Sequence, residues 1–333
     1  MERRNSMILS RAPVRISMGG GGTDLPSYYE KHGGFLLAAG INKFVHIMLN
    51  KRFEDSIRLS YSKTEIVNNV KDIEHRIFRE SLKFTDVRKQ VEIVSIADVP
   101  SNCGLGTSSA FTVALLSALF SYNRDHKTLR EIAECACNIE INILKEPIGK
   151  QDQYAATYGG FNAYTFNKDG SVVVEPVKIS EEAKMEMQSN LFLFYLNKNR
   201  SAGDILKHQN KKTKQKNEDV LNRLHKIKDI GYYTKKILEK NKIDEFGDLL
   251  HEHWLVKKGL SGKISDPFTD EVYENARKNG AIGGKVIGAG GGGFLMFYCP
   301  KEKTRLVSAM KKMGLNVTWF SFEHEGVKNG FYN

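Results

Sequence analysis

Three glycine-rich segments, far apart in the chain, constrain its folding more than any other feature. They are Met18-Gly19-Gly20-Gly21-Gly22-Thr23-Asp24, Pro100-Ser101-Asn102-Cys103-Gly104-Leu105-Gly106-Thr107-Ser108-Ser109, and Gly288-Ala289-Gly290-Gly291-Gly292-Gly293. Glycine runs weaken element interiors, so each segment reads as a turn or a close approach of backbone to backbone or ligand. The middle segment follows an extended apolar run, Val91-Glu92-Ile93-Val94-Ser95-Ile96, and opens an Ala/Leu/Phe-rich helical stretch from Ser109 to about Phe120. Strand, glycine turn and helix start together make a cradle of free backbone N–H groups with positive dipole charge, a place suited to phosphate.

Around these segments the chain has room for a full core. At 333 residues it meets the soft expectation of two domains, and 41% hydrophobic with 27% charged residues is ordinary for a soluble globular protein. The four cysteines, at 103, 135, 137 and 299, match no zinc spacing, which leaves reduced thiols of a cytoplasmic protein. The first apolar run, Met7-Ile8-Leu9, is too short for a signal peptide, and no stretch approaches a membrane span. Much of the net charge of +11 lies in the lysine-rich block Lys207–Lys228, which also carries Glu218 and Asp219. A solvated helical face accounts for that block, and a basic chain suits an enzyme of polyanionic ligands, so neither nucleic acid nor membrane is expected as a partner. The sequence leaves oligomeric state open and allows a homodimer.

Strands are expected at 8–16, 35–50, 91–97, 161–166, 172–177, 191–196, 285–287, 294–298 and 316–322. Helices are expected at 64–83, 109–121, 128–145, 201–239, 243–260, 267–279 and 301–313. Thr128 with Glu131 three residues on forms a capping box. The polar stretch from Ser180 sets a boundary between domains of 1–185 and 186–333.

In the central segment, Gly104 and Gly106 permit positive φ, and Ser108 offers a hydroxyl to phosphate or to phosphate-bound Mg²⁺. No Gly-Lys-Ser/Thr ends it, so it is no Walker A loop, and a glycine turn before a Ser-capped helix is the competing account. The third segment contains Gly288-x-Gly290-x-x-Gly293, formally a dinucleotide fingerprint, yet Phe294-Leu295-Met296-Phe297 continues as a strand rather than a helix. Its glycines read instead as a strand-to-strand turn. Asp24 is either a sugar-hydroxyl acceptor or a cap for the helix through Tyr28-Tyr29. Asp152, beside Lys150, is either a base for a hydroxyl or a surface carboxylate.

Taken in order, Ala12-Pro13-Val14-Arg15-Ile16, Pro100-x-x-x-Gly104-Leu105-Gly106-Thr107-Ser108-Ser109 and Lys285-Val286-Ile287-Gly288-Ala289-Gly290-Gly291-Gly292-Gly293 resemble the three signatures of the GHMP kinases. Gly20-Gly21-Gly22-Thr23-Asp24-Leu25-Pro26 and Gly149-Lys150-Gln151-Asp152 resemble the sugar-1-kinase branch, nearest the heptose 7-phosphate kinases and then the L-fucokinases. The resemblance implies an α+β fold of two domains, the first like ribosomal protein S5 domain 2 and the second ferredoxin-like. It implies ATP and Mg²⁺ as cofactors and a sugar phosphate as the small-molecule partner. The reaction implied is phosphorylation of the anomeric hydroxyl of D-glycero-D-manno-heptose 7-phosphate, for nucleotide-activated heptose and surface polysaccharide. A fucokinase- or galactokinase-like activity, or a sensor that binds without turnover, are the alternatives. By the same resemblance, Ser101, Asn102, Cys103, Gly104, Leu105, Gly106, Thr107 and Ser108 wrap the ATP phosphates, and Ser108 with Glu140 holds Mg²⁺. Asp152 faces the attacking hydroxyl with Arg15 beside it, and Gly21, Gly22, Thr23 and Asp24 bind the sugar. Gly290 and Gly291 line the cleft opposite. Lys43, Lys198 and Arg200 are the candidates for the substrate's own phosphate, since a cationic pocket is needed there. Thr107 stands where the family usually has Ser, and the Glu140–Asp152 spacing is one residue longer than in mevalonate kinase.

Overall fold

The computed structural model describes residues 7–197, 202–215 and 217–332. The chain begins with a long antiparallel pair, β1 (Met7–Gly19) and β2 (Gly34–Lys51), joined through the short helix α1 (Pro26–His32). β3 (Ile57–Ser60), β4 (Thr64–Val67) and β5 (Val91–Ala97) extend this sheet along one half of β2, with α2 (Arg76–Phe84) between β4 and β5. β3 and β5 run parallel. The central glycine segment leads into α3 (Thr107–Asn123), then α4 (Leu129–Cys137), a π turn at Asn138–Ile143 and α5 (Gln151–Tyr158). β6 (Phe161–Phe166) and β7 (Val172–Pro176) return to the other half of β2.

After α6 (Glu181–Asn190), β8 (Leu191–Tyr195) opens a second sheet. The helices α7 (Ala202–Lys214), α8 (Glu218–Glu239), α9 (Phe246–Lys258) and α10 (Pro267–Lys278) precede β9 (Gly283–Val286) and β10 (Phe294–Tyr298). α11 (Lys303–Lys312) leads to β11 (Val317–Thr318), completing an antiparallel order β11-β8-β10-β9. The last strand, β12 (Lys328–Tyr332), leaves this sheet and pairs with β1.

The sequence pattern explains the layering. α3 is buried without a break from Ser109 to Phe120, as befits a helix apolar on every side and packed against β1, β2, α2, α4 and α5. The second half grips the first through α8, which packs on β1 and β2. There a β-carbon added at Gly231 would fall 3.1 Å from Gly20 N, so helix and first glycine segment meet at van der Waals limit. Among the described residues no helix is long and apolar enough to cross a membrane.

Several expected elements differ. The helix expected at 64–83 is β4, a 3₁₀ turn at Val70–Asp72 and α2. The β-branched run Thr64–Val67 pairs with β3, and the Glu65 carboxylate accepts from the N–H groups of Glu74 and His75, holding the chain outside a helix until His75. The helix expected at 128–145 starts at the capping box of Thr128 and Glu131 but passes into the π turn at Asn138. The stretch expected as one helix over 201–239 is two, with Asn217 capping α8 through Val220 N. The strand expected at 316–322 shrinks to β11, because from Ser321 the backbone turns back to bond Asn42 and Gly40 of the first sheet. The residues after 186 therefore contribute to both sheets.

Candidate active site

The three glycine segments converge on one cavity of about 220 Å³. The central segment forms one wall of it. Gly106, at φ 80°, precedes α3 and supplies no side-chain cap, so the first N–H groups of a 17-residue helix lack the usual side-chain acceptor. That removes the Ser-capped reading of this turn and leaves an anion cradle. Asn102, Gly104, Gly106, Thr107 and Ser108 line the cavity. Ser101 is exposed, while Cys103 and Leu105 point into the core and serve through their backbones. Leu105 O accepts from Arg15 N at 3.0 Å, and Cys103 O accepts from Phe294 N at 3.2 Å.

The third segment buttresses this loop. A β-carbon at Gly104 (φ 85°) would lie 2.5 Å from Ile287 O, and one at Gly288 (φ 74°) would lie 2.7 Å from Gly104 O. Only glycine permits both the left-handed backbone and that approach. Gly288 and Ala289 reach the cavity. Gly290 and Gly291 do not line it; they pack on Ile264, whose O accepts from Gly291 N.

Arg15, on β1, is the hub. Its Nε and Nη2 donate to Asp152 Oδ1 at 2.8 and 2.5 Å, and its Nη1 donates to Gly104 O at 2.6 Å. Gln151 Nε2 donates to the same Oδ1 at 2.6 Å. Every hydrogen bond to this carboxylate among the described residues thus ends on Oδ1. Oδ2 faces the start of α3, 3.3 Å from where a β-carbon on Gly106 would stand.

On the other side of Asp152 lies Asp24. Helix α1 starts at Leu25 without a side-chain cap, so Asp24 is not its cap. Its Oδ2 accepts from Gln151 N at 3.1 Å, at the N-terminus of α5, and its Oδ1 from Gly22 N at 3.2 Å. Burial first, then the nearby charge of Asp152, raises the Asp24 carboxyl to about 6. Gly21 and Gly22 line the cavity beside it. Thr23 does not: its hydroxyl lies 2.8 Å from both Gly20 O and Phe35 O, sharing its one proton between them, and accepts from Phe35 N, locking the loop from beneath.

Glu140, turned inward by the π turn, is 1% exposed. Its Oε1 accepts from Ser108 Oγ at 3.2 Å and its Oε2 from Gln153 Nε2 at 2.5 Å. Burial raises this carboxyl to about 7. A buried carboxylate facing a hydroxyl at the phosphate cradle is a donor pair for a divalent cation that brings phosphate oxygens and water as its remaining ligands.

Of the three cations expected to hold a substrate phosphate, Lys198 and Arg200 lie outside the described residues. Lys43 sits in β2 at the register shift opposite Pro13 and Val14, away from the cavity. The cavity instead contains two lysines given no role from the sequence, Lys257 and Lys285, with His253 and Ser17. Lys285 was visible as the residue heading the third glycine signature; nothing in the pattern singled out Lys257.

Known proteins resemble this chain in sequence and fold. The model for the GHMP kinases N terminal domain matches residues 68–160, and that for the GHMP kinases C terminal matches 234–316. The chain is 34% identical to the D-glycero-alpha-D-manno-heptose 7-phosphate kinase of Campylobacter jejuni, over 97% of this chain and 98% of that one. The crystal structure of a D-glycero-D-manno-heptose 1-phosphate kinase from Bacteroides thetaiotaomicron superposes with a TM-score of 0.80 at 27% identity, covering 97% and 98% of the two chains. A putative sugar kinase from Campylobacter jejuni gives 0.79 at 29% identity, covering 99% and 100%. With the fold, the three signatures and the relationship over nearly its whole length in agreement, the chain belongs to the GHMP kinases, a family that uses ATP as phosphoryl donor.

Proposed function

We propose that this protein transfers the γ-phosphoryl group of ATP to the anomeric hydroxyl of D-glycero-D-manno-heptose 7-phosphate, giving the 1,7-bisphosphate. One observation carries the reading: the Asp152 carboxylate is fixed by Arg15 on one oxygen and turns the other toward the uncapped start of α3. The substrate is inferred from the 34% identical heptose 7-phosphate kinase, and the product would suit nucleotide-activated heptose for surface polysaccharide.

Phosphoryl transfer needs in-line positioning and charge neutralisation more than covalent catalysis. The backbone of 101–108 receives the nucleotide phosphates. Asp24, with Gly21 and Gly22, holds sugar hydroxyls so that the anomeric oxygen faces Asp152 Oδ2. The oxygen attacks the γ-phosphorus as its proton passes to Oδ2, and the bond to the β-phosphate oxygen breaks to release ADP. Arg15 holds Asp152 in orientation and offsets charge at the transferring group. Glu140 and Ser108 fit Mg²⁺, which when bound supplies charge neutralisation at the phosphates.

A coupled ADP-release panel with heptose 7-phosphate, heptose, L-fucose and galactose tests the assignment. Preference for the phosphorylated heptose supports it, and faster turnover of an unphosphorylated sugar refutes it. Asp152→Asn should lower kcat by roughly 10²–10⁴ while ATP binding persists. Near-normal turnover in that variant removes Asp152 from the scheme.

A further inference from the structure

Phosphoryl transfer as described leaves two cavity lysines without a task. Lys285, in β9, is 1% exposed, and its Nζ lies 3.3 Å from Ser17 Oγ on β1 and 3.4 Å from His253 Nδ1 on α9. Lys257, in the last turn of α9, donates from Nζ to Val286 O at 2.9 Å and Gly288 O at 2.5 Å. All four partners are neutral. Arg15 is compensated by Asp152, whereas these two amino groups are buried in the same cavity with no carboxylate among those contacts. Such an arrangement is costly unless something anionic arrives to complete it.

The surrounding shape gives that anion a route. Ser17 is two residues along β1 from Arg15, on the same side of the strand, so the Lys285 end adjoins the Asp152 end. A β-carbon on Gly21 would stand 3.8 Å from both Ser17 Oγ and Gln151 Oε1, so the missing side chain keeps space open beside Ser17. Asp24 and Asp152 engage the hydroxyls of a sugar, and the same cavity continues past Ser17 to the lysines.

We propose that Lys285, backed by Lys257, receives the phosphate monoester already carried by the acceptor sugar and thereby sets the preference for a phosphorylated over an unphosphorylated substrate. This rests on the reading of the acceptor as a sugar phosphate. Electrostatics agree with the geometry: burial, then the charges of Lys257 and Arg15, push Lys285 well below the lysine range, and burial with Arg15 brings Lys257 down to about 7. A bound dianion reverses both effects, so binding draws a proton onto the pair.

Kinetics of Lys285→Gln and Lys257→Gln test this with heptose 7-phosphate and heptose as paired acceptors. The ratio of kcat/KM between the two should fall about 100-fold in Lys285→Gln, chiefly through KM for the phosphate, as for one side of a buried charge pair removed. Lys257→Gln should lower it less, and KM for ATP should hold in Lys285→Gln. An unchanged ratio, or a rise in KM for ATP that is equal with both acceptors, overturns the inference while leaving the kinase reading intact. A wild-type enzyme indifferent to the 7-phosphate overturns both. Wild-type protein gives an independent check by titration calorimetry at pH 8 in two buffers of different ionisation enthalpy, where a phosphate monoester is already a dianion. Heptose 7-phosphate should bind with uptake approaching one proton and heptose with none. Equal uptake for the two sugars refutes the proposal.

Discussion

Replacing Arg15 by methionine tests the hub directly. The guanidinium makes two hydrogen bonds to Asp152 Oδ1 and one to Gly104 O, with its side chain 4% exposed. Methionine keeps the bulk but leaves Asp152 with only Gln151 Nε2 as a donor among the described residues. Breaking a buried pair from one side costs roughly 3–5 kcal/mol. The Asp152 side chain is 26% exposed and can be partly hydrated, so the lower end applies: about 3 kcal/mol, or roughly 4 °C in Tm. In the Arg15→Met background, Asp152→Asn removes a charge that has already lost its partner, so the two losses should not add; the coupling should be about 2 kcal/mol. Calorimetry on the ligand-free wild type, both single variants and the double variant closes the cycle. Additivity within about 0.5 kcal/mol would refute the pairing as a source of stability. Because Gly104 is freed as well, KM for ATP should rise together with a fall in kcat of at least about 100-fold. An Arg15→Met enzyme with unaltered ATP affinity would show that Arg15 does not pin the cradle.

Other substitutions probe the remaining parts. Glu140, raised to about 7 from 4.5 by burial, keeps in the folded state a proton that the unfolded chain has lost, so ligand-free stability declines as pH climbs from 4.5 to 7. Glu140→Gln should abolish that decline and gain roughly 2–3 kcal/mol at pH 8, while losing Mg²⁺-dependent turnover. Gln153 Oε1, buried without a partner, can turn to accept from the new amide; equal Tm values for variant and wild type at pH 8 count against the argument. With Asp24 near 6 and Glu140 near 7, and both needed ionised, kcat/KM should fall about tenfold on acidification from 7 to 6 and steepen toward a log slope of 2 below pH 6. A profile flat to pH 5 contradicts it. Gly104→Ala forces a β-carbon toward Ile287 O at φ 85°, which should cost about 2–4 kcal/mol and raise KM for ATP at least tenfold; denaturant titration and saturation kinetics measure the two effects.

Much of the site could be read from residues alone because it is built on local chemistry. The order strand, Gly104-x-Gly106, helix specifies a glycine turn at a helix start wherever the chain goes, the structure alone showing that start to be uncapped, and α3 announces its interior position by being apolar all round. Failures cluster where distant residues decide. Of the two readings open for Asp24, adjacency favoured a cap for α1, yet it serves α5 through Gln151, 127 residues away, and stays free for the sugar-binding role proposed for it. Thr23 looked like a sugar ligand, yet its hydroxyl is spent on Phe35. Lys43 looked available, but β2 turns it away from the cavity. The stretch 64–83 has helical periodicity overall, and pairing with β3 overrode it at Thr64–Val67.

The sequence by itself determined the turns, where glycine must stand and which helix is apolar on every side, since these depend on backbone sterics and on neighbours a few positions apart. Tertiary structure alone decided the partnerships. Arg15 reaches Asp152, Gly288 meets Gly104, Lys285 crosses to Ser17 and β12 returns to β1 because two sheets close on each other across hundreds of residues. Those contacts are fixed by how buried faces and uncompensated charges fit together in three dimensions, a matter on which local pattern is silent.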